Sequence, residues 1–312
     1  MNKNSKILVC GHKGLVGSAL MRQLTAQGFT NLLSAPRSEL DLTDIGQTVK
    51  FFLKHEPEYV FLAAAKVAGI EGNMKQPVSM LVTNLEIQLN VIETAHVTGV
   101  KKLMFFGSSC IYPKLCPQPI KEEYLMTGPL EPSNEFYALA KITGLKLCQA
   151  YRKQSGDNFI SVMPTNLYGI NDTYKPGCHV IPDLIRKFYQ AKVSGQEHVH
   201  VWGDGTARRE FLYSDDLAAA CVTVMENYND EAPINIGYGT DISIRELAEL
   251  VADTVGLGRD QLVFDPKGVV GTPIKFVDSS KVMALGWKPS VTLEAGLKIA
   301  YADFLKNHAT TK

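Results

Sequence analysis

The chain has 312 residues, 45% hydrophobic and 21% charged. That length suits one large α/β unit with a smaller lobe, burying about 75% of the surface its unfolded form exposes. Its 25 glycines and 15 prolines are too few for collagen, low-complexity or wholly disordered classes. Lys+Arg and Asp+Glu both number 32, so the formal charge is zero. This excludes a globally basic nucleic-acid binder and leaves room only for a local basic pocket.

From the start, Lys6 to Gly11 (KILVCG) reads as an apolar strand and Ser18 to Ala26 as a helix. A second strand ends near Ala35, a helix covers Ile45 to His55, and Tyr59 to Ala65 is a third strand. Asn84 to Gly99 carries a long helical pattern, Lys102 to Gly107 (KLMFFG) a buried strand, Asn134 to Ser155 a helix and Phe159 to Pro164 a strand. Such alternation predicts an α/β fold, a Rossmann-type parallel sheet with helices on both faces.

After Tyr168-Gly169 the pattern turns to loops around Pro176-Gly177 and Trp202-Gly203-Asp204-Gly205, material for a smaller mixed substrate-binding lobe. Asp215 to Tyr228 is again helical and Pro233 to Gly237 strand-like, while Ile244 to Val255 and Leu293 to Leu305 are amphipathic helices of the second lobe. The expected division is residues 1–169 with about 213–240 for the cofactor, and about 170–212 with 241–312 for the substrate.

The cysteines, Cys10, Cys110, Cys116, Cys148, Cys178 and Cys221, have no paired or metal-binding spacing, which predicts a reduced, cytoplasmic protein. The apolar runs are strand-length and the first residues, Met1 to Lys6, are polar. Neither a membrane span nor a signal peptide is expected.

Gly11-His12-Lys13-Gly14-Leu15-Val16-Gly17 spaces glycines by three between a strand and a helix. The first permits a tight turn, the second a close approach of pyrophosphate and the third close helix packing, with helix amides facing phosphate. A plain structural turn is the competing reading, since the spacing differs from the commoner G-x-G-x-x-G. The second strand ends in Ala35-Pro36-Arg37, without the acidic residue that holds ribose hydroxyls. Arg37 with Lys13 suits an added 2′-phosphate, so NADP(H) is favoured over NAD(H); two solvated cations are the alternative. Asp41 and Leu42 are placed beside the adenine, and Ala63, Ala64 and Ala65 leave room for the cofactor.

Tyr137 and Lys141 stand four residues apart on one helical face. A partly buried tyrosine and a snorkelling lysine are a common structural pairing. Gly107-Ser108-Ser109-Cys110-Ile111-Tyr112, directly after a buried strand, supplies the context that favours chemistry. There Lys141 holds the cofactor ribose and lowers the tyrosine pKa, Tyr137 donates a proton to a carbonyl oxygen and Ser108 orients that oxygen.

On these residues the chain resembles the extended short-chain dehydrogenases/reductases. More narrowly it is similar to the branch that epimerises GDP-4-keto-6-deoxy-D-mannose at C3 and C5 and then reduces its 4-keto group, forming GDP-L-fucose. The resemblance runs nearly end to end through GHKGLVGSA, AAAKVAGI, GSSCIYP, PTNLYG, CHVIP, VWGDG, RREFLYSDD and GTPIKFVD. It implies Cys110 as epimerisation base and His179 as acid, His179 also lying against the cofactor. A nearby imidazolium is expected to depress the thiol pKa. It further implies that Pro164, Thr165, Asn166 and Leu167 line the cofactor pocket, that Lys187, Trp202, Arg209 and Asp278 meet the sugar nucleotide, and that the protein is a homodimer. Arg186 and Arg208 are weaker neighbours. Ala68, where the branch commonly has glycine, is expected to alter the sugar pocket slightly, and the 169–172 loop departs from the usual GPHD. No metal is expected, although Cys178 beside His179 invites the idea: the chemistry needs an open titratable pair. A related nucleotide-sugar reductase or epimerase, and a noncatalytic nucleotide-binding protein, remain the competing functions.

Overall fold

The computed structural model describes residues 1–265 and 272–309. Gly271, the first residue of GTPIKFVD, lies outside them.

Five strands alternate with helices through the first half: β1 (Ile7–Cys10), α1 (Leu15–Ala26), β2 (Leu32–Leu33), α2 (Ile45–His55), β3 (Tyr59–Leu62), α3 (Ile70–Lys75), α4 (Pro77–Val97), β4 (Lys102–Phe106), α5 (Glu135–Ser155) and β5 (Phe159–Pro164). Every residue of β1, β4 and β5 is buried, as a parallel sheet covered on both faces requires. Ile7 and Val9 point to one face, where they meet Leu20 and Leu24 of α1. Leu8 and Cys10 point to the other, against Phe52 of α2, Val91 of α4 and Leu145 of α5.

The second half adds β6 (Asn166–Tyr168), α6 (Val180–Ser194), β7 (Val199–Trp202), β8 (Arg208–Arg209), β9 (Phe211–Tyr213), α7 (Ser214–Asn227), β10 (Ile234–Ile236), β11 (Ile242–Ser243), α8 (Ile244–Val255), β12 (Leu262–Asp265), β13 (Ile274–Lys275), α9 (Ser280–Ala284) and α10 (Leu293–Asn307). The main sheet is parallel, in the order β10-β5-β4-β3-β1-β2. Its order reverses between β1 and β3, the crevice where such sheets bind nucleotides. A separate core joins α6, α8 and α10 through Ile185, Phe188, Leu247, Val251 and Phe304, beside the small sheets β11-β8-β13, β12-β7 and β6-β9. Val277, Val282 and Trp287 pack back into the two clusters of the main sheet.

Some elements differ in extent from the sequence expectation. Helix α1 starts at Leu15, three residues early, because Gly14 serves as its N-cap. Helix α4 starts at Pro77, where a missing amide proton costs nothing. Strand β3 stops at Leu62, leaving Ala63–Ala65 as loop beyond its C-terminal end.

Candidate active site

The glycine loop has the form a pyrophosphate needs. Gly11 has φ +82°, and a Cβ there would stand 2.9 Å from the Ala64 backbone. The ends of β1 and β3 thus touch with no side chain between them. A Cβ on Gly17 would lie 2.1 Å from the Gly11 carbonyl oxygen, whereas one on Gly14 would meet only that oxygen, at 3.5 Å. Two glycines are therefore fixed by packing, and the third leaves an open approach to the uncapped amides of α1. Leu15 and Val16 begin the helix, Val16 against the core. His12 is held below its usual range by partial burial and by Lys13.

Arg37 follows β2 with its side chain 76% exposed, and its Nε donates to Asp41 Oδ2 at 3.0 Å. The Thr43 hydroxyl and amide, aided by Arg37, hold the Asp41 carboxyl low. Leu42 is buried, its carbonyl accepting from Asn90 at 2.9 Å.

Beyond β4 the chain passes through Gly107 into a 3-10 turn, Ser109–Ile111, and the Ser108 hydroxyl accepts from the Cys110 amide at 3.2 Å. Helix α5 lays Tyr137 and Lys141 against this turn. Lys141 is 3% exposed, donates to the Phe106 carbonyl at 2.8 Å and stands 5.8 Å from the Tyr137 ring centre. Burial pushes its ammonium down to about 7. The tyrosine departs from expectation: burial and the neighbouring Cys110 raise its pKa, opposed only by the Ser108 hydroxyl. No lowering by Lys141 is found. A phenol held neutral is the form that donates a proton.

Cys110 lies among groups brought from other elements. Burial pushes its thiol up, but Lys275, Ser108 and Arg209 outweigh this and leave it below the usual thiol range. Lys275 Nζ stands 3.5 Å from the sulfur. The depressing cations are thus Lys275 and Arg209, in place of the expected imidazolium. His179, the N-cap of α6, makes no side-chain capping bond. Its side chain reaches solvent but is crowded by protein, and this desolvation and then Lys275 lower its pKa, so a proton placed there is readily given up.

Pro164 ends β5 and Asn166 and Leu167 open β6. Thr165 donates its amide to Ile236 O at 3.0 Å, and Asn166 Nδ2 donates to Glu210 O at 2.9 Å. Lys187 stands 6.0 Å from the Trp202 ring centre while paired with Asp183 at 2.7 Å. Arg186 shares that aspartate, and Arg208 turns to Asp241. Arg209 donates to the carbonyls of Arg208 and Pro273. Asp278 accepts from the Ser280 amide and lies near Lys121 and Lys281, with no contact to the Lys187–Trp202 pair among those seen. The Ala68 methyl faces Gly72, where a Cβ would meet it at 2.6 Å, so it serves a contact with α3. In the 169–172 loop, Asn171 takes φ +63° and its amide donates to Asp303 at 3.0 Å.

Two residues escaped the sequence reading. Lys275 sits inside GTPIKFVD, whose lysine was the available signal. Glu210 sits inside RREFLYSDD, fully buried, and accepts from the amides of Gly239 at 2.7 Å and Val277 at 3.1 Å. It ties the chain after β10 to the chain after β13 and keeps Lys275 at the site. Among the described residues no cluster of His, Cys, Asp and Glu has metal-binding geometry.

A glycine loop at the β1/β3 crevice, with a Ser/Tyr/Lys group beside it, defines a nucleotide-dependent oxidoreductase of the short-chain type. The chain belongs to the NAD dependent epimerase/dehydratase family, whose model matches residues 7–237. Within it the likeness is to GDP-L-fucose synthases. GDP-L-fucose synthase 1 of Arabidopsis thaliana is 53% identical over 98% of this chain and 95% of its own. The GDP-L-fucose synthase of Escherichia coli is 45% identical over 97% of each. Among solved structures, a GDP-mannoheptose C4 reductase from Campylobacter jejuni with NADP bound superposes with a TM-score of 0.90 at 39% identity, covering 98% of this chain and 99% of that one.

Proposed function

We propose that the protein is a bifunctional GDP-L-fucose synthase that epimerises GDP-4-keto-6-deoxy-D-mannose at C3 and C5 and then reduces the 4-keto group. The observation carrying this reading is that Ser108, Tyr137 and the buried Lys141 stand beside a thiol, Cys110, whose pKa is depressed by adjacent cations.

A 4-keto group acidifies the protons on C3 and C5, because the carbanion left behind is delocalised as an enolate. The Cys110 thiolate removes the proton from one face and His179 returns one from the other, so each inversion conserves protons. In the second half-reaction Tyr137 gives its proton to the ketone oxygen, Ser108 orients that oxygen and Lys141 stabilises the phenolate that forms.

NADP(H) is the cofactor that the glycine loop, Lys13 and Arg37 fit, and the relative solved with NADP agrees. When bound it supplies the hydride. Residues 1–169 and about 213–240 form its domain; about 170–212 and 241–312 form the lobe for the sugar nucleotide, where Lys187 and Arg209 neutralise diphosphate and Trp202 gives an apolar wall. Asp278 is assigned to the substrate by resemblance alone.

The functional unit is a homodimer through α4 and α5. This rests on Val78, Val82 and Leu89 of α4 and Phe136 and Leu139 of α5, large apolar side chains left exposed. Six unpaired cysteines suit a cytoplasmic setting; among the described residues no helix is long and apolar enough to cross a membrane.

The test is NMR product analysis after incubation with GDP-4-keto-6-deoxy-D-mannose and NADPH. GDP-L-fucose is expected. A 4-reduced sugar with unchanged C3 and C5 would identify a plain 4-reductase, the activity in the name of the C. jejuni relative.

A further inference from the structure

We propose that Lys275 is a positioning residue that sets the ionisation of Cys110, and with it the pH at which proton exchange at C3 and C5 begins. The inference rests on the reading of Cys110 as base but can fail separately from it.

Lys275 approaches from a part of the chain that the reduction chemistry does not use. Strand β13 pairs in parallel with β8, placing Lys275 opposite Arg209. Its backbone is bonded residue by residue: Arg208 N donates to Pro273 O at 2.8 Å, Phe276 N to Gln118 Oε1 at 3.1 Å and Val277 N to Glu210 Oε2 at 3.1 Å. The Phe276 carbonyl accepts from Ile120 N at 2.9 Å. The backbone that carries the ammonium is thus tied on both sides, and the ammonium itself stands 3.5 Å from the sulfur.

The charges nearest the thiol are cationic, with one carboxylate, Glu131, at the edge of the same cavity and interacting with Arg209. From β13 comes Lys275 and from β8 Arg209; from α5 come the Tyr137 phenol and, behind it, the Lys141 amine; from the head of α6 comes His179. Ser108 offers its hydroxyl. Glu131 and Asn134 line the small cavity shared by Cys110 and Lys275, but the Glu131 carboxylate is 2.9 Å from Lys114 Nζ. Among the described residues no carboxylate lies within ion-pair distance of Lys275; its close polar partner is the Cys110 sulfur. An unpaired ammonium 3.5 Å from the sulfur therefore favours the thiolate. His179, whose pKa Lys275 helps to lower, is not among the groups that depress the thiol.

An opposite charge within about 4–6 Å shifts an ionisable group by about 1–3 pH units. Removing the ammonium must raise the thiol pKa, so the thiolate fraction, and the rate of proton abstraction, falls at a given pH below it. The decisive measurement is the titration of Cys110 itself, read as thiolate absorbance of the parent minus that of Cys110→Ser. In parallel, deuterium uptake from D₂O into the keto-sugar without NADPH is followed against pH. In Lys275→Met both curves should move up by at least about one unit, lowering exchange near neutrality about tenfold or more and restoring it at high pH. Lys275→Arg, which keeps the charge, should lie close to the parent.

An unmoved thiol titration in a folded Lys275→Met protein overturns the proposal whatever happens to exchange. Should Lys275→Met not fold, the parent suffices: a Cys110 pKa at or above the usual thiol value of about 8.5 overturns it as well. If the thiol titration moves and the exchange profile does not follow, the reading of Cys110 as base is what fails.

Discussion

Ser108, Tyr137 and Lys141 hang from the end of one buried strand and the helix beside it, whereas Cys110, His179, Arg209 and Lys275 are gathered from a 3-10 turn, a helix cap and two strands of two residues each. The reducing group is local and dominated by desolvation: its phenol is raised and its amine lowered by burial. The epimerising group is distributed, and its thiol is governed by cations that arrive 99 and 165 residues further along the chain. Proton donation to a ketone needs a neutral acid held in place, which packing alone provides. Proton abstraction by a thiol needs its anion, which nearby countercharge favours. The two half-reactions should therefore separate under substitution.

The largest effect is expected from Tyr137→Phe, which keeps the ring and removes the proton donor. Ketone reduction should fall about 10³-fold, measured as NADPH oxidation, while deuterium exchange into the keto-sugar stays near the parental rate. Cys110→Ser should do the converse. A hydroxyl has nearly the shape of the thiol without an accessible anion, so exchange should fall about 10²-fold or more. Equal losses in both activities for either variant would mean that the groups act as one unit.

Two smaller effects sharpen the contrast at the cofactor end. Gly17→Ala would ordinarily favour a helix, but its methyl must enter the space of the Gly11 carbonyl. Denaturant melts should show a loss of about 2 kcal/mol, and an unchanged midpoint would remove the packing argument for the loop. Arg37→Ala should weaken NADPH binding about tenfold, the scale of a lost charge-assisted contact, and leave NADH nearly unaffected. Saturation curves with both cofactors read this; a parental NADPH preference in the variant would assign the 2′-phosphate elsewhere.

The same contrast governs how much was legible in the sequence. The glycine loop and the Tyr137/Lys141 pair are short-range patterns with spacings of three and four, and the buried strands are continuous apolar runs, so the local sequence exposes them. Strands β8 and β13, at two residues, have no period to detect. Their pairing exists only because the fold brings residues 208 and 274 into register. Lys275 was accordingly invisible as a neighbour of Cys110, although its motif was recognised. Glu210 was missed for a related reason: a charged residue between Arg209 and Phe211 reads as surface, yet it is buried because backbone amides from two distant segments satisfy it. The expected lowering of Tyr137 by Lys141 failed because spacing predicts proximity on a helix face and says nothing of desolvation, which dominates both groups.

The claim of two separable chemistries in one pocket is tested most directly by deuterium incorporation from D₂O into GDP-4-keto-6-deoxy-D-mannose without NADPH, comparing the parent, Tyr137→Phe and Cys110→Ser. Exchange at C3 and C5 in the parent and in Tyr137→Phe, with its loss in Cys110→Ser, is the predicted result. Parental exchange at both carbons in Cys110→Ser would contradict the account.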